Sequence, residues 1–329
     1  MPSTKAKPKV IVVGCGVSGL TCGICLLEQQ FEVTILARDL PPHTTSNVAP
    51  AIWYPYKAYP PTRALDWGRV SLDTFYDLAA TADCGVSLTT LLELFEQPVA
   101  DPWWKDAVRQ FSYIPLGELP PGYQAGYMVE IPLIEAPLYL NYLLGRFRQL
   151  GGLIEQRHLA SLADLYQTSQ LIVNCAGLGA RDIAGDDQVY PIRGQIVRVE
   201  ASGLQRVINC ATGSHAPAYI IPRSRDCILG GTATEQDWSL EVNPHTAQEI
   251  LDKCRQLEPA LSRAAVLGHA VGLRPGRPEV RLELEWVAEQ GAVIHNYGHG
   301  GAGFTLSWGC AKEVVALAGH AVESRQSSR

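Results

Sequence analysis

The chain has 329 residues, 47% of them hydrophobic, with a formal net charge of −6 and nine cysteines. That length buries a sizeable core and exceeds one typical domain, while the acidic balance and the lack of any Lys/Arg block argue against a nucleic-acid partner. An odd cysteine count in so large a chain argues against a disulfide framework, and no segment is repetitive or of low complexity.

After "MPSTKAKPK" come eighteen residues without a charge, "VIVVGCGVSGLTCGICLL" (10–27). A basic start and an apolar run resemble a signal peptide or a membrane span. Gly14, Gly16, Gly19 and Gly23 interrupt the run and no A-x-A site follows, so it reads as a buried strand and a buried helix face, with no membrane partner. "KVIVVG" (9–14) is β-branched and continuous, as in a strand covered on both faces. A helix is expected from about Ser18 to Gln30, then a second strand over "EVTILA" (32–37). Cys22 and Cys25 form a C-x-x-C inside that helix, where small sulfur side chains suit close packing rather than redox chemistry.

A Pro/Thr/Ser loop turning aromatic follows, "PPHTTSNVAPAIWYPY" (41–56). The pattern of 63–82 predicts an amphipathic helix, and the Trp, Pro and Tyr beyond it predict loops to about 135. Residues 136–152 read as a helix ending on glycine. "LIVNCAG" (171–177) reads as a buried strand, and "RGQIVRVE" (193–200), "AYIIPR" (218–223) and "CILGGT" (227–232) as strands of a second sheet. Residues 243–259 carry strong helix signals, with Asn243 as N-cap, Pro244 at the first position and Pro259 as the stop. "HAVGLRPGRPEVRLEL" (269–284) reads as strand, Pro-rich turn, strand; "AVIHNYG" is a last strand before a C-terminal helix, and the tail "ESRQSSR" is expected to fray.

The fold class is therefore α/β with an α+β second domain. A discontinuous Rossmann-like nucleotide domain (1–56, 137–190 and 285–329) carries a second domain (57–136 and 191–284) built on a mixed or antiparallel sheet.

Gly14, Cys15, Gly16, Val17, Ser18 and Gly19 spell G-x-G-x-x-G between strand and helix. The first glycine permits the tight turn, the second lets a pyrophosphate approach the backbone, and the third lets helix and strand pack closely. The helix N-terminus offers free N–H groups and a positive dipole end. Asp39, twenty residues past Gly19, is the candidate ribose ligand, and Arg38 leaves a phosphate contact open; a solvated Arg–Asp pair is the bland alternative. His295 and His299 stand four apart, but in a glycine-rich loop, and no Cys/His set has metal spacing.

The stretch "VIHNYGHGGAGFTLSWGCA" resembles the C-terminal signature of the D-amino-acid oxidase family, which includes the D-aspartate oxidases. "HTTSNVAPAIWYPY" is similar to its flavin-contacting loop, and "NCAGLGARDIAG", "PIRGQI", "AYIIP", "LGGT" and "GLRPGRP" resemble family segments in the same order over nearly the whole chain. The resemblance implies FAD as cofactor, and a D-amino acid and O₂ as small-molecule substrates. It implies oxidation of the Cα–N bond by hydride transfer to the flavin, hydrolysis of the imino acid to an oxo acid and ammonia, and release of H₂O₂.

It also implies site residues. Arg274 in "GLRPGRP" and Tyr219 in "AYIIP" would clamp the substrate carboxylate, a task suited to a planar guanidinium; an ion pair and a core tyrosine are their ordinary alternatives. The carbonyl of Gly301 would face the substrate amine, and Tyr54 and His215 complete the catalytic candidates. Flavin contacts carry over to Thr44, Thr45, Ser46, Ala51, Ile52, Leu159, Ala176, Gly300, Gly303, Phe304 and Thr305, the last opening a helix whose dipole would favour negative charge on the flavin. His215 stands where the animal D-amino-acid oxidases carry a second tyrosine, and Ala233 where D-aspartate oxidases carry arginine. The expected substrates are therefore neutral D-amino acids, with D-aspartate or D-glutamate oxidation and a non-catalytic FAD-binding sensor as alternatives. Ala302 and a short segment before Tyr219 would open the pocket and ease product release. The expected setting is cytoplasmic, since "SSR" is no peroxisomal tripeptide, and a homodimer is compatible with the sequence.

Overall fold

The computed structural model describes residues 7–200, 203–288 and 290–327. In chain order its elements are β1 (Lys9–Val13), α1 (Val17–Glu28), β2 (Glu32–Ala37), α2 (Thr45–Val48), α3 (Pro61–Thr81), β3 (Val86–Phe95), β4 (Phe111–Tyr113), β5 (Ala125–Ile134), α4 (Ala136–Gln149), β6 (Leu153–Gln156), β7 (Leu171–Asn174) and α5 (Ala180–Ile183). They continue with β8 (Tyr190–Glu200), β9 (Arg206–Cys210), β10 (Ala218–Pro222), β11 (Asp226–Gly230), β12 (Thr234–Glu235), α6 (Pro244–Leu257), β13 (Val266–Gly276), β14 (Arg281–Val287), β15 (Gly291–Tyr297) and α7 (Gly303–Ser327).

Two sheets carry the fold. The first has six strands in the order β14-β15-β7-β1-β2-β6, parallel except at β14. The second has nine, β12-β8-β11-β10-β9-β3-β5-β4 with β13 also on β8, antiparallel except between β3 and β9. The apolar runs predicted as the buried strands β1, β2, β7 and β15 do meet in the first sheet, because crossover helices cover both of its faces. Asn243 caps α6 as expected, its side chain accepting from the amides of His245 and Thr246 (2.9 and 3.1 Å).

Four readings change. The segment to 135 read as loop contains β3, β4 and β5, whose backbones pair mainly across the second sheet. The short strands β6 and β9 were also not anticipated. Residues 281–284, grouped by sequence with the second domain, lie in β14 of the first sheet, and α3 packs along α7. There the Ser71 hydroxyl accepts from the amides of Trp308 and Gly309 (both 3.1 Å), and a Cβ on Gly309 would sit 2.2 Å from the Trp67 carbonyl oxygen. Finally, α7 holds the polar tail in helix through Ser327; the last two residues of "SSR", and the first six of the chain, lie outside the described residues. No described helix is long and apolar enough to cross a membrane. All nine cysteines are free and buried, the C-x-x-C pair included.

Candidate active site

The glycine turn after β1 behaves as its spacing predicts. Gly14 has φ +107°, and a Cβ there would lie 2.4 Å from the Cys175 carbonyl oxygen. A Cβ on Gly19 would lie 1.9 Å from the Gly14 carbonyl oxygen, so α1 sits hard against the turn. Gly16 precedes α1 in extended backbone, and the Val17 amide donates to Ser46 Oγ (3.1 Å). The 41–56 loop thereby brings Ser46 against the turn, with Thr44 and Thr45 just before it and Thr44 Oγ1 donating to Asn47 Oδ1 (2.8 Å). A Cβ built on Gly303, the first residue of α7, would lie 3.9 Å from Val17 Cγ1, so the N-termini of α1 and α7 converge. Two positive dipole ends then face one cradle, which fits a dinucleotide with a pyrophosphate and an electron-rich ring.

The remaining cofactor candidates fall around it. Arg38 and Asp39 pair with each other at the exposed end of β2 (2.8 Å). Leu159 is buried beside Val13 and Leu36, and the Ala176 amide donates to Asn174 Oδ1 (3.1 Å). Ile52 bridges to Leu133, with Ala51 buried beside it, and Ser18 stands in the first turn of α1. Cys15 and Phe304 are buried, and the Phe304 ring packs against Tyr139, so its side chain serves the core.

The C-terminal glycines make a tight floor. Gly298 and Gly300 have φ +81° and +55°; a Cβ on Gly300 would lie 2.4 Å from the Lys57 carbonyl oxygen, and one on Gly301 2.5 Å from Tyr56 Cδ1. Thr305 Oγ1 donates to the Tyr54 carbonyl (3.0 Å) and accepts from its amide (3.1 Å), stapling the aromatic loop to the first turn of α7. The hydroxyl is thus occupied, and the helix amides carry what polarity α7 offers. His299 hydrogen-bonds Asn296 Oδ1 (2.9 Å), and burial pushes its pKa down to about 4. His295, held between Asn174 and Glu285, is lowered mainly by burial. Both act as scaffolding, and no cluster of metal-ligating groups occurs among the described residues.

Arg274 and Tyr219 approach each other across the second sheet. Arg274 stands on β13, and its guanidinium lies over Gly194 of β8, where a Cβ would be 2.4 Å from Nη1. Tyr219 stands on β10, and its ring lies over Gly230 of β11, where a Cβ would be 2.0 Å from Cζ. Because β8 and β11 are neighbours, both side chains lean inward over two glycine-floored strands. Nη1 of Arg274 donates to the Thr232 carbonyl (3.2 Å), and no carboxylate of the described residues pairs with it. The Tyr219 hydroxyl is buried without a hydrogen-bond partner. An unpaired cation beside an orphaned hydroxyl presents donors whose chemistry matches a carboxylate.

Tyr54 lies on the aromatic loop before α3, and His215 on the loop between β9 and β10. The Tyr54 hydroxyl donates to Glu93 Oε1 (3.2 Å), while Tyr56 is the ring lying on Gly301. His215 Nδ1 faces Tyr123 (3.3 Å), Ser214 (3.3 Å) and Glu96 (4.0 Å). Sequence reasoning missed Tyr56, Glu93, Gly194 and Gly230. Gly194 lies inside β8 and Gly230 ends β11, and only the register places each under its side chain.

The family described as FAD dependent oxidoreductase matches residues 9–317. The chain belongs to it. A D-amino-acid oxidase of Rubrobacter xylanophilus is 50% identical, over 95% of this chain and 97% of the relative. A D-amino-acid oxidase of Dictyostelium discoideum is 38% identical (94% and 91% covered), and a human D-aspartate oxidase 35% (96% of each). Among solved structures, glycine oxidase from Geobacillus kaustophilus superposes with a TM-score of 0.79 at 18% identity, covering 95% of both chains, and so shares the fold. FAD is accordingly the cofactor of this family member, and the cradle between α1 and α7 has the backbone that such a group requires.

Proposed function

We propose that the chain is a D-amino-acid oxidase in which Arg274 and Tyr219 hold the substrate carboxylate and the Gly301 carbonyl accepts from the substrate amine. The observation that carries this reading is the unpaired Arg274 guanidinium beside the partnerless Tyr219 hydroxyl, each over a glycine that gives it room. Bound FAD supplies the acceptor that takes hydride from Cα and returns the electrons to O₂, yielding an imino acid and H₂O₂.

The protein's part is orientation. Three fixed contacts, two to the carboxylate and one to the amine, leave a D-configured substrate one way to present its Cα hydrogen. A neutral amine donates to the Gly301 carbonyl, so no side-chain base is required at Cα. In the cradle, the N–H groups of Gly16, Ser18 and Gly19 would face the pyrophosphate, Asp39 the ribose, and the first turn of α7 the negative edge of the ring. Neutral side chains are favoured over acidic ones, because the basic candidate for a distal carboxylate, His215, faces Glu96 (4.0 Å) and Glu93 is buried along the same sheet.

The test is a spectrum and a substrate panel. The purified protein should be yellow and should release peroxide with D-alanine and D-methionine but not with their L-enantiomers. A colourless protein, or no peroxide across the D-panel, would sink the reading. D-aspartate as the best substrate would overturn the preference for neutral side chains.

A further inference from the structure

Glu93 is a carboxylic acid with 1% of its surface exposed, on a β-strand, with no cationic partner among the described residues. Its Oε1 accepts from Tyr54 (3.2 Å) and from Asn209 Nδ2 (2.9 Å), whereas Oε2 has no hydrogen-bond partner. A buried acceptor left open is costly, so such a group calls for an explanation.

Its place in the sheet supplies one. Glu93 pairs with Asn209 across β3 and β9, Asn209 with Tyr219 across β9 and β10, and Tyr219 with Gly230 across β10 and β11. Directly opposed residues point to the same face, so Glu93 shares the face that carries the Tyr219 ring. Two strand spacings put its Cα about 10 Å from that of Tyr219. A cavity of ≈ 360 Å³ opens here, walled by Glu93, Tyr127, Phe95 and Trp104 and bounded by Tyr54 and Tyr56. Tyr56, which lines this cavity, is also the ring that lies on Gly301 and stands near Tyr219, so it links the cavity to the proposed clamp. Lys57 at its rim is held by Glu235 (2.5 Å) and leaves Glu93 unneutralised.

We infer that this cavity is the side-chain subsite and that Glu93 is its specificity-determining residue, selecting D-amino acids whose side chains end in a cation, such as D-lysine and D-arginine, over neutral side chains of equal length. The inference rests on the proposed carboxylate clamp. A long side chain ending in a cation would bring N–H donors to the Glu93 carboxylate, whose Oε2 lacks one. Burial pushes the Glu93 carboxyl up to about 7, opposed by the hydrogen bonds from Tyr54 and Asn209 and by the nearby Tyr127 hydroxyl. The groups facing it are the neutral phenols of Tyr54 and Tyr127, the Asn209 amide and, more remotely, the Cys210 thiol. A bound cation favours the ionised carboxylate, so binding near pH 6 expels one proton from Glu93, and preference for the cation grows as pH rises through 7.

The holoenzyme tests this with 6-aminohexanoate and hexanoate, the deaminated frames of D-lysine and D-norleucine, titrated calorimetrically. Wild type at pH 8 should bind the amino compound at least about tenfold more tightly, as a buried charge pair predicts; Glu93→Gln should lose that preference while holding hexanoate within about threefold. In buffers of different ionisation heat at pH 6, wild type should release a proton on binding 6-aminohexanoate and Glu93→Gln should not. For turnover, kcat/KM for D-lysine over D-norleucine should climb from pH 6 to 8 in wild type, a readout independent of any variant's folding. An unchanged preference in Glu93→Gln, or a flat wild-type ratio, overturns the role of Glu93 and leaves the clamp standing. Failure of both carboxylates to bind overturns the clamp and this inference with it.

Discussion

Two sets of glycines build this site in opposite ways. Around the nucleotide turn, Gly14, Gly16 and Gly19 are needed for what the backbone does: a left-handed φ at Gly14, and backbone-to-backbone contact between Gly19 and Gly14. In the second sheet, Gly194 and Gly230 lie in ordinary strand backbone and are needed for what stands above them, the Arg274 guanidinium and the Tyr219 ring. The first set shapes a surface from main chain; the second clears a volume for side chains. Damage to the first should therefore appear as lost cofactor, and damage to the second as lost substrate recognition with the cofactor in place.

The largest expected effect is on the clamp itself. Arg274→Ala should lower kcat/KM for D-alanine by about 10²–10³-fold, chiefly through KM, because it removes a charge-assisted, desolvated contact worth ~3–4 kcal/mol. The flavin spectrum should be unaltered, and a silent variant would remove Arg274 from the site. Next come the glycines. Gly230→Ala places a methyl 2.0 Å from Tyr219 Cζ and should cost about 10–100-fold in kcat/KM, in line with ~1–3 kcal/mol of overpacking, with FAD retained. Gly14→Ala combines a left-handed φ with a 2.4 Å contact to the Cys175 carbonyl and should yield colourless protein. If Gly230→Ala also lost its flavin, the contrast between the two sets would collapse.

A third prediction concerns the scaffold beneath the C-terminal loop. The folded pKa of His299, about 4, lies below the ordinary 6.5, so between those values the unfolded chain binds the extra proton. Stability should thus fall as pH drops from 6.5 towards 4, by ~2 kcal/mol between pH 7 and 5 from this residue. Urea midpoints at the two pH values measure it, and His299→Gln should flatten the dependence. The smallest effect is expected at β2. Asp39 and Arg38 form an exposed pair, so Asp39→Asn should change stability by under about 0.5 kcal/mol. If Asp39 binds the ribose, FAD affinity should nonetheless fall by about tenfold, the worth of one hydrogen bond to a charged group; no change in affinity would return it to the role of a solvated ion pair.

The nucleotide half was legible in the sequence because its signals are local. β1, the glycine turn and α1 follow one another within twenty residues, and each residue type reports its own backbone. The second sheet is less legible because its strands are defined by distant partners. β3 runs "VSLTTLLELF", where Glu93 breaks an apolar run, and Trp and Pro crowd the sequence beyond it; only pairing with β5 and β9 makes it a strand. Arg274 and Tyr219 were found through resemblance, while the glycines beneath them became readable only when the register of β8, β11 and β13 placed them under those side chains. The expected division put α3 and residues 281–284 in the second domain, whereas α3 packs along α7 and β14 pairs in the first sheet, because a helix or strand joins whichever layer covers its apolar face and chain order does not reveal which.

The buried cysteines have a consequence for the proposed oxidase, whose reaction releases H₂O₂. Peroxide attacks thiolates, and burial pushes the Cys15, Cys25, Cys227 and Cys254 thiols up to about 12. At neutral pH roughly one in 10⁵ of such thiols is ionised, and all nine are shielded from solvent. Oxidative wear during turnover should fall instead on Met128, 37% exposed on β5, where a sulfoxide meets water and leaves the core intact.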